Sequence, residues 1–379
     1  MTQVLKAALT SVAAFTALTL TAGAAAAVPA QTSPRAQAPS KVFTITDHLA
    51  RQVAGELADQ TARGHVASTT ASGPADLLTI EPDTRLGQEA RAANRAVLAA
   101  KALPATSGSL LRLRLANTGT RAALERGEVP LVAAAPTDDE PAEVTAYDPL
   151  GGKVLLDPVK APDRPVLVVE VDVAKAMPMG LELVRDVLAD RGIKAVKPSA
   201  SRITESRTTE SQALAANGYW ATKINAIRLN NDQEPWIKGA AEIYSVVGGF
   251  GLDGAPAVNI VQMPYLDNDG TTYYPNQLIV HFSAYKYNLA DVVMMEDDGD
   301  TNYQALATAI ANALLSIADL GYYVPLVNAI LSAIPTSWWT DDPDYVDSWY
   351  TLSTASSGRL NGAAANGWMD VAPYWVSAL

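Results

Sequence analysis

The chain has 379 residues, 49% of them hydrophobic, with 28 basic against 40 acidic side chains, a formal net charge of -12, and no cysteine. The absence of cysteine excludes disulfide staples, thiolate zinc sites and a cysteine nucleophile. The acidic balance repels phosphates, so no nucleic-acid partner is expected.

At the N-terminus, Lys6 gives a basic start and Ala7 to Gly23 is small, apolar and uncharged. AGAAAAVPA then offers A-x-A cleavage sites after Ala27 or Ala30. That tripartite order predicts a secretory signal peptide over residues 1–30 and an extracellular location. Its apolar core is shorter than the roughly 20 residues a spanning helix needs. Residues 31–40, rich in Pro, Gln, Ala and Ser, read as a flexible leader. An exported chain without disulfides must draw its stability from core size or bound ions.

Residues 41–198 read as an α+β domain. Val42 to Arg63 has helical spacing, with Leu49, Val53 and Leu57 on one face and Asp47 as a cap. Thr84 to Leu103 predicts a second helix, and LLRLRL (110–115) alternates as a strand does. VPLVAA, EVTAYD, KVLLD and PVLVVEVD follow as strands separated by Pro, Gly and Asp turns, with a hairpin at the GG of YDPLGGKV. Met179 to Arg191 predicts a short helix ending at Gly192. Residues 199–221 begin with the polar run SASRITESRTTES and read as a linker.

From Thr222 onward the composition changes. This half carries 17 acidic and 5 basic side chains, a net of -12, so the first half is close to neutral. All seven Trp lie from Trp220 onward. TKINAIRL, AAEIYSVV, AVNIVQM, QLIVHFSAY, ADVVMME and DYVDSWYTL read as strands with turn residues at short intervals. They predict an all-β sandwich over 222–379, C2-like, with a helical hairpin inserted at 303–334. Asn312, Asp319, Pro325 and Asn328 interrupt that hairpin's apolar run, so membrane insertion is not expected, and a membrane-active protein using the hairpin stays only an alternative.

Three loops of this half are acidic, and in a simple meander alternate loops share one end of the sheet. They hold Asp232 and Glu234; Asp267 and Asp269; and Asp297, Asp298 and Asp300. TDDPD, with Asp341, returns the chain toward the same end. Carboxylates gathered there would repel without a cation, and calcium, a hard ion taking six to eight oxygens, suits flexible carboxylate loops. The expected protein is a calcium-binding module for an extracellular polymer or cell-surface ligand. Alternatives stay open at each motif. Asp298-Gly-Asp300-Thr-Asn302 opens like an EF-hand, but Tyr303 and Ala309 stand where that loop needs Gly and Glu, and Asp300 or Asn302 equally suits a helix cap. His281 with Ser283 would share a strand face as a hydrolase site, against the simpler reading of a paired histidine. Carboxylates with Trp338, Trp339, Trp349 and Tyr345 would suit sugar hydrolysis, or simply a core. No HExxH or G-x-S-x-G occurs.

At DQEPWIKGAAEIY, MPYLDNDGTTYYPNQ, VVMMEDDGDTNY and WTDDPDYVDSWYTL the sequence resembles an uncharacterised family of secreted bacterial proteins classed as a domain of unknown function. The resemblance runs from about Val42 to Leu352. It implies an exported bacterial protein whose two halves travel together, and brings no activity or catalytic residue.

Overall fold

Residue Ser40 stands at the start of the first described helix. Its Oγ accepts from the Phe43 N–H at 3.0 Å and caps α1, Lys41–Glu56, which buries Val42, Leu49 and Val53. The structure is a computed structural model and describes residues 39–80, 83–137, 141, 143–195, 218–231, 236–297, 299–333 and 345–377. The expected signal peptide, the expected leader up to residue 38 and the expected linker over 199–217 lie outside the described residues. Asp59 accepts from the Thr61 and Ala62 N–H groups and starts a second helix, α2, Gln60–Thr70, so the helix expected to run to Arg63 is two helices. Asp47 is not a cap; it accepts from the Tyr147 hydroxyl at 2.8 Å.

The first half continues with β1 (Ala75–Asp76), α3 (Arg85–Ala100, capped by Thr84), β2 (Leu111–Leu115), α4 (Arg121–Glu125), β3 (Leu131–Ala134), β4 (Val144–Tyr147), β5 (Lys153–Leu156), β6 (Val166–Val171), α5 (Val173–Asp190) and β7 (Lys194–Ala195). Strands β1 to β6 form one sheet in the order β1-β2-β6-β3-β4-β5, antiparallel except for β3 against β6. The GG hairpin is present between β4 and β5: Gly151 has φ +82° and Asp148 accepts from the Leu150 and Gly152 N–H groups. Helices α1 and α3 pack with one face of this sheet in the largest hydrophobic cluster.

The second half holds β8 (Gly218–Leu229), β9 (Ile243–Phe250), β10 (Pro256–Gln262), β11 (Thr272–Tyr273), β12 (Gln277–His281), β13 (Leu289–Glu296), α6 (Tyr303–Leu315), α7 (Val327–Ala333), β14 (Tyr345–Ser353), β15 (Gly358–Asn361) and β16 (Gly367–Ser377). One sheet runs β14-β13-β9-β10-β7, and another runs β11-β8-β16-β15 with β12 also on β8. Pairing is antiparallel apart from β7 on β10, through which the first half extends a sheet of the second.

Strand β9 is buried on both faces, and so is β13 beyond its first residue. Tyr244, Val246, Phe250, Val293 and Met295 join the cluster that includes α1, α3, α5, α6 and α7. Ile243, Val247, Val292 and Met294 point the other way and meet Ile224, Ile227, Met369 and Val371 of the opposing sheet. Two buried faces remove the polar alternation that a half-solvated strand shows, which is why VVMM reads as an unbroken apolar run. Each such fully buried side chain contributes about 1.5–3 kcal/mol. Residues Pro39–Leu379 form one compact unit, and the largest cluster draws on both halves. An N-terminal helix-containing region is thus followed by a region rich in antiparallel sheet, with a helix pair, α6 and α7, between β13 and β14. Among the described residues no helix is long and apolar enough to cross a membrane.

Candidate functional site

The loop ahead of β9 is the first builder of the site. Ile237 is fully buried beside Leu131, Ala133 and Val168, on the sheet face opposite α1 and α3. Trp236 Nε1 donates to the Asp157 carbonyl at 3.0 Å and Arg114 Nη2 donates to the Ile237 carbonyl at 2.5 Å. An apolar anchor with two hydrogen bonds therefore lays Lys238, Gly239 and Glu242 along the ends of β2 and β6.

The second builder is the turn from β13 into α6. Asn302 caps α6 by accepting from the Ala305 N–H at 2.9 Å, and its Nδ2 donates to the Ala100 carbonyl at 2.7 Å. The Tyr303 N–H donates to the Lys101 carbonyl at 3.3 Å, and Lys101 Nζ donates to the Gly299 carbonyl at 2.8 Å. The orphan carbonyls at the end of α3 are satisfied by the acidic turn itself. Between the two builders opens a small cleft onto which Arg112, Glu170, Lys238, Glu242 and Asp297 converge.

Charge in the cleft is arranged in pairs. Arg112 Nε donates to Glu170 Oε1 at 2.5 Å and its Nη1 to Asp172 Oδ1 at 3.2 Å. Arg114 Nε donates to Glu170 Oε2 at 2.8 Å, and Lys175 lies 2.8 Å from Asp172. Burial works against the Arg112 charge, but Glu170 and Asp172 outweigh it and raise its pKa. Asp297 accepts from Gly299 N–H at 3.0 Å, Thr301 Oγ1 at 2.9 Å and Tyr303 Oη at 2.5 Å, with Lys101 Nζ at 3.6 Å. Glu242 differs: among the described residues no side chain or backbone group donates a hydrogen bond to its carboxyl. Burial, reinforced by Asp297, Glu170 and Asp172 against the pull of Arg112, holds that carboxyl well above the usual range, at about 8.

The residues predicted to bind calcium fare unequally. The strands do not form the simple meander assumed, since β8 lies in the other sheet, but the start of β9 and the ends of β10 and β13 share one end of theirs: Glu296 pairs with Ile243, Gln262 with Tyr244, and Tyr345 with Met295. Asp297 lies there with both oxygens accepting from protein donors. Asp267 Oδ1 accepts from Tyr273 Oη at 2.7 Å and Asn268 Nδ2 at 2.8 Å. Asp269 is exposed and Asp300 is buried. Asp232, Glu234, Asp298 and Asp341 lie outside the described residues. Among the described residues no three acidic or histidine side chains converge on a metal position.

Strand β12 ends at His281, and Ser283 sits exposed in a 3-10 turn over Phe282–Ala284, so the two share no strand face. His281 Nδ1 lies 3.0 Å from Tyr219 Oη, and burial lowers its pKa. That is the paired histidine. Trp349 is 2% exposed and part of the core rather than a platform; Trp338 and Trp339 lie outside the described residues.

Apart from Asp297, the cleft residues escaped the sequence reading, although one signal was present. LLRLRL puts two arginines on one face of an apolar strand, and PVLVVEVD carries a lone Glu170; Arg112 faces Glu170 across the ladder. Lys101, at the end of α3, carries no local signal. No curated protein and no solved structure matches the chain. Residues 44–378 match a family model described as "Protein of unknown function (DUF3103)", and the chain belongs to that family.

Proposed function

We propose that the chain is an exported binding module that takes a positively charged group of an extracellular or cell-surface ligand in the cleft, with Glu242 as its acceptor. The observation that carries this is the contrast between Glu242 and its neighbours. Glu170, Asp172 and Asp297 each have a cation from the protein, whereas burial keeps Glu242 protonated up to about pH 8 and, among the described residues, no group hydrogen-bonds its carboxyl. A ligand ammonium or guanidinium supplies that partner, and Glu242 releases its proton as it binds. The net charge of -12 draws such cations toward the protein.

The test is titration calorimetry of the purified chain with n-butylammonium at pH 7, in buffers of different ionisation enthalpy. Binding should release close to one proton, a release that vanishes at pH 9, and Glu242→Gln should abolish the signal. Heats that are independent of the buffer, or binding untouched by Glu242→Gln, remove Glu242 from the role.

Calcium is the second reading, favoured by the register that gathers the acidic loop ends on one side of the β13 sheet. In it, the two second-half sheets are a C2-like sandwich and the ion sits among Asp269, Asp300 and the acidic residues of the adjoining loops. Calcium at a hundredfold above its dissociation constant stabilises the native state by roughly 2.7 kcal/mol. Melting in chelator, in millimolar calcium and in millimolar magnesium decides it, because magnesium suits such loops poorly. Equal shifts with the two ions end the calcium reading.

A further inference from the structure

Lys101 and Asp297 are both fully buried, and Lys101 Nζ lies 3.6 Å from Asp297 Oδ1. The lysine is held on two further sides: its Nζ donates to the Gly299 carbonyl at 2.8 Å and lies 4.9 Å from the centroid of the Tyr303 ring. Around the carboxylate the donors fall into two sets. Oδ1 accepts from Gly299 N–H and Thr301 Oγ1, and Oδ2 accepts from Tyr303 Oη. Two opposite charges are thus sealed from water in one fixed geometry, where an ion pair carries a large desolvation cost.

We propose that Lys101 and Asp297 condense to an intramolecular isopeptide bond. The Lys101 ammonium first passes one proton to the Asp297 carboxylate beside it, leaving a neutral amine and a neutral acid with its proton on Oδ2. The amine lone pair forms the bond from Nζ to Cγ, and the carbonyl electron pair moves onto Oδ1. That oxyanion sits where Gly299 N–H and Thr301 Oγ1 already donate, an arrangement of the oxyanion-hole type. The intermediate collapses by breaking the bond from Cγ to Oδ2. Oδ2, to which Tyr303 Oη already donates, takes a second proton from the nitrogen and leaves as water. The products are one amide carrying one N–H and one water; no charge, oxidant or co-reactant is left over. Fixed juxtaposition supplies the driving geometry, as it does in other intramolecular acyl transfers.

The bond would staple the end of α3 to the turn before α6, across a separation close to the 198 residues between Lys101 and Gly299. A chain without cysteine has no disulfide with which to do this.

Peptide mapping of the purified, denatured chain tests it. Trypsin cannot cut after an acylated lysine, so the digest should contain a branched peptide, uncut at Lys101 and lighter by one water than its two arms. Asp297→Asn should give the same branched product with loss of ammonia instead of water. Asp297→Ala should restore cleavage after Lys101, and Tyr303→Phe should slow formation in freshly refolded protein. A parent digest with complete cleavage after Lys101 and no branched peptide overturns the proposal, whatever the variants do.

Discussion

Glu242 ties stability to pH with a definite sign. Its folded-state pKa of about 8 stands above its ordinary value of 4.5, so between those values the folded state holds more protons than the unfolded chain. The contribution is fully present below about pH 4.5 and is lost as pH rises through 8. At about 1.4 kcal/mol per unit, and discounted for the carboxyl's partial exposure, the loss is on the order of 2–4 kcal/mol. Gln mimics the protonated form without titrating. Glu242→Gln should therefore gain stability over the parent from pH 5 to pH 8.5 in denaturant melts. Curves for the two proteins that fall in parallel across that range would show that Glu242 does not titrate in it. Single residues of this kind are the least legible part of the sequence. Asp297 was visible as an acid, but its three internal donors come from the turn and first residue of α6, and its paired cation from a lysine far along the chain. Only the facing Arg112 and Glu170 left a mark in the strand pattern.

Helix α5 shows how one element can set the position of another. Gly180 lies in its interior, and a Cβ built there would meet the Tyr303 ring of α6 at 2.2 Å. The helix therefore approaches the α6 start more closely than any side chain allows. Glycine inside a helix ordinarily costs about 0.5–1 kcal/mol relative to alanine, so Gly180→Ala gains propensity but overpacks, at a cost of about 1–3 kcal/mol. A net loss of stability is expected. Gly55, exposed in α1 with nothing within 4 Å of its Cβ position, is the control: Gly55→Ala should stabilise by about 0.5–1 kcal/mol. Equal effects at the two sites, read from chemical denaturation midpoints, would rule out the close approach. Most elements were readable because their signals are local: Thr84 at a helix start, LLRLRL for a strand, Gly151 at a turn. The hairpin of β15 and β16 was missed because its restraint is remote. Asp347 of β14 accepts from the Ser348, Ala364 and Gly367 N–H groups, each at 2.8 Å, and shapes the turn NGAAANG that otherwise looks like a loop.

At the scale of the whole molecule, the composition step at Thr222 and the packing tell different stories. Charge and tryptophan content are surface and function properties, free to differ between halves that share a core. Cooperativity depends instead on which side chains lose their partners when a segment opens. Leu49 and Val97 of the first half belong to the same buried cluster as Val246, Val293 and Ile310 of the second. β7 pairs with β10, the Ile237 anchor fills the far face of the first sheet, and Lys101 is sealed under the β13–α6 turn. Unfolding either half alone would expose the apolar face of the other, at about 25 cal/mol per Å². The described residues from Pro39 onward should therefore melt in one cooperative transition. In scanning calorimetry of the reversible unfolding, the calorimetric and van't Hoff enthalpies should agree. A chain of two independent domains would instead give two resolvable transitions, or a van't Hoff enthalpy well below the calorimetric one, and a fragment ending before β8 would keep its own melting point. Loss of that melting point on truncation, together with a single endotherm for the full chain, is the outcome the shared cluster requires.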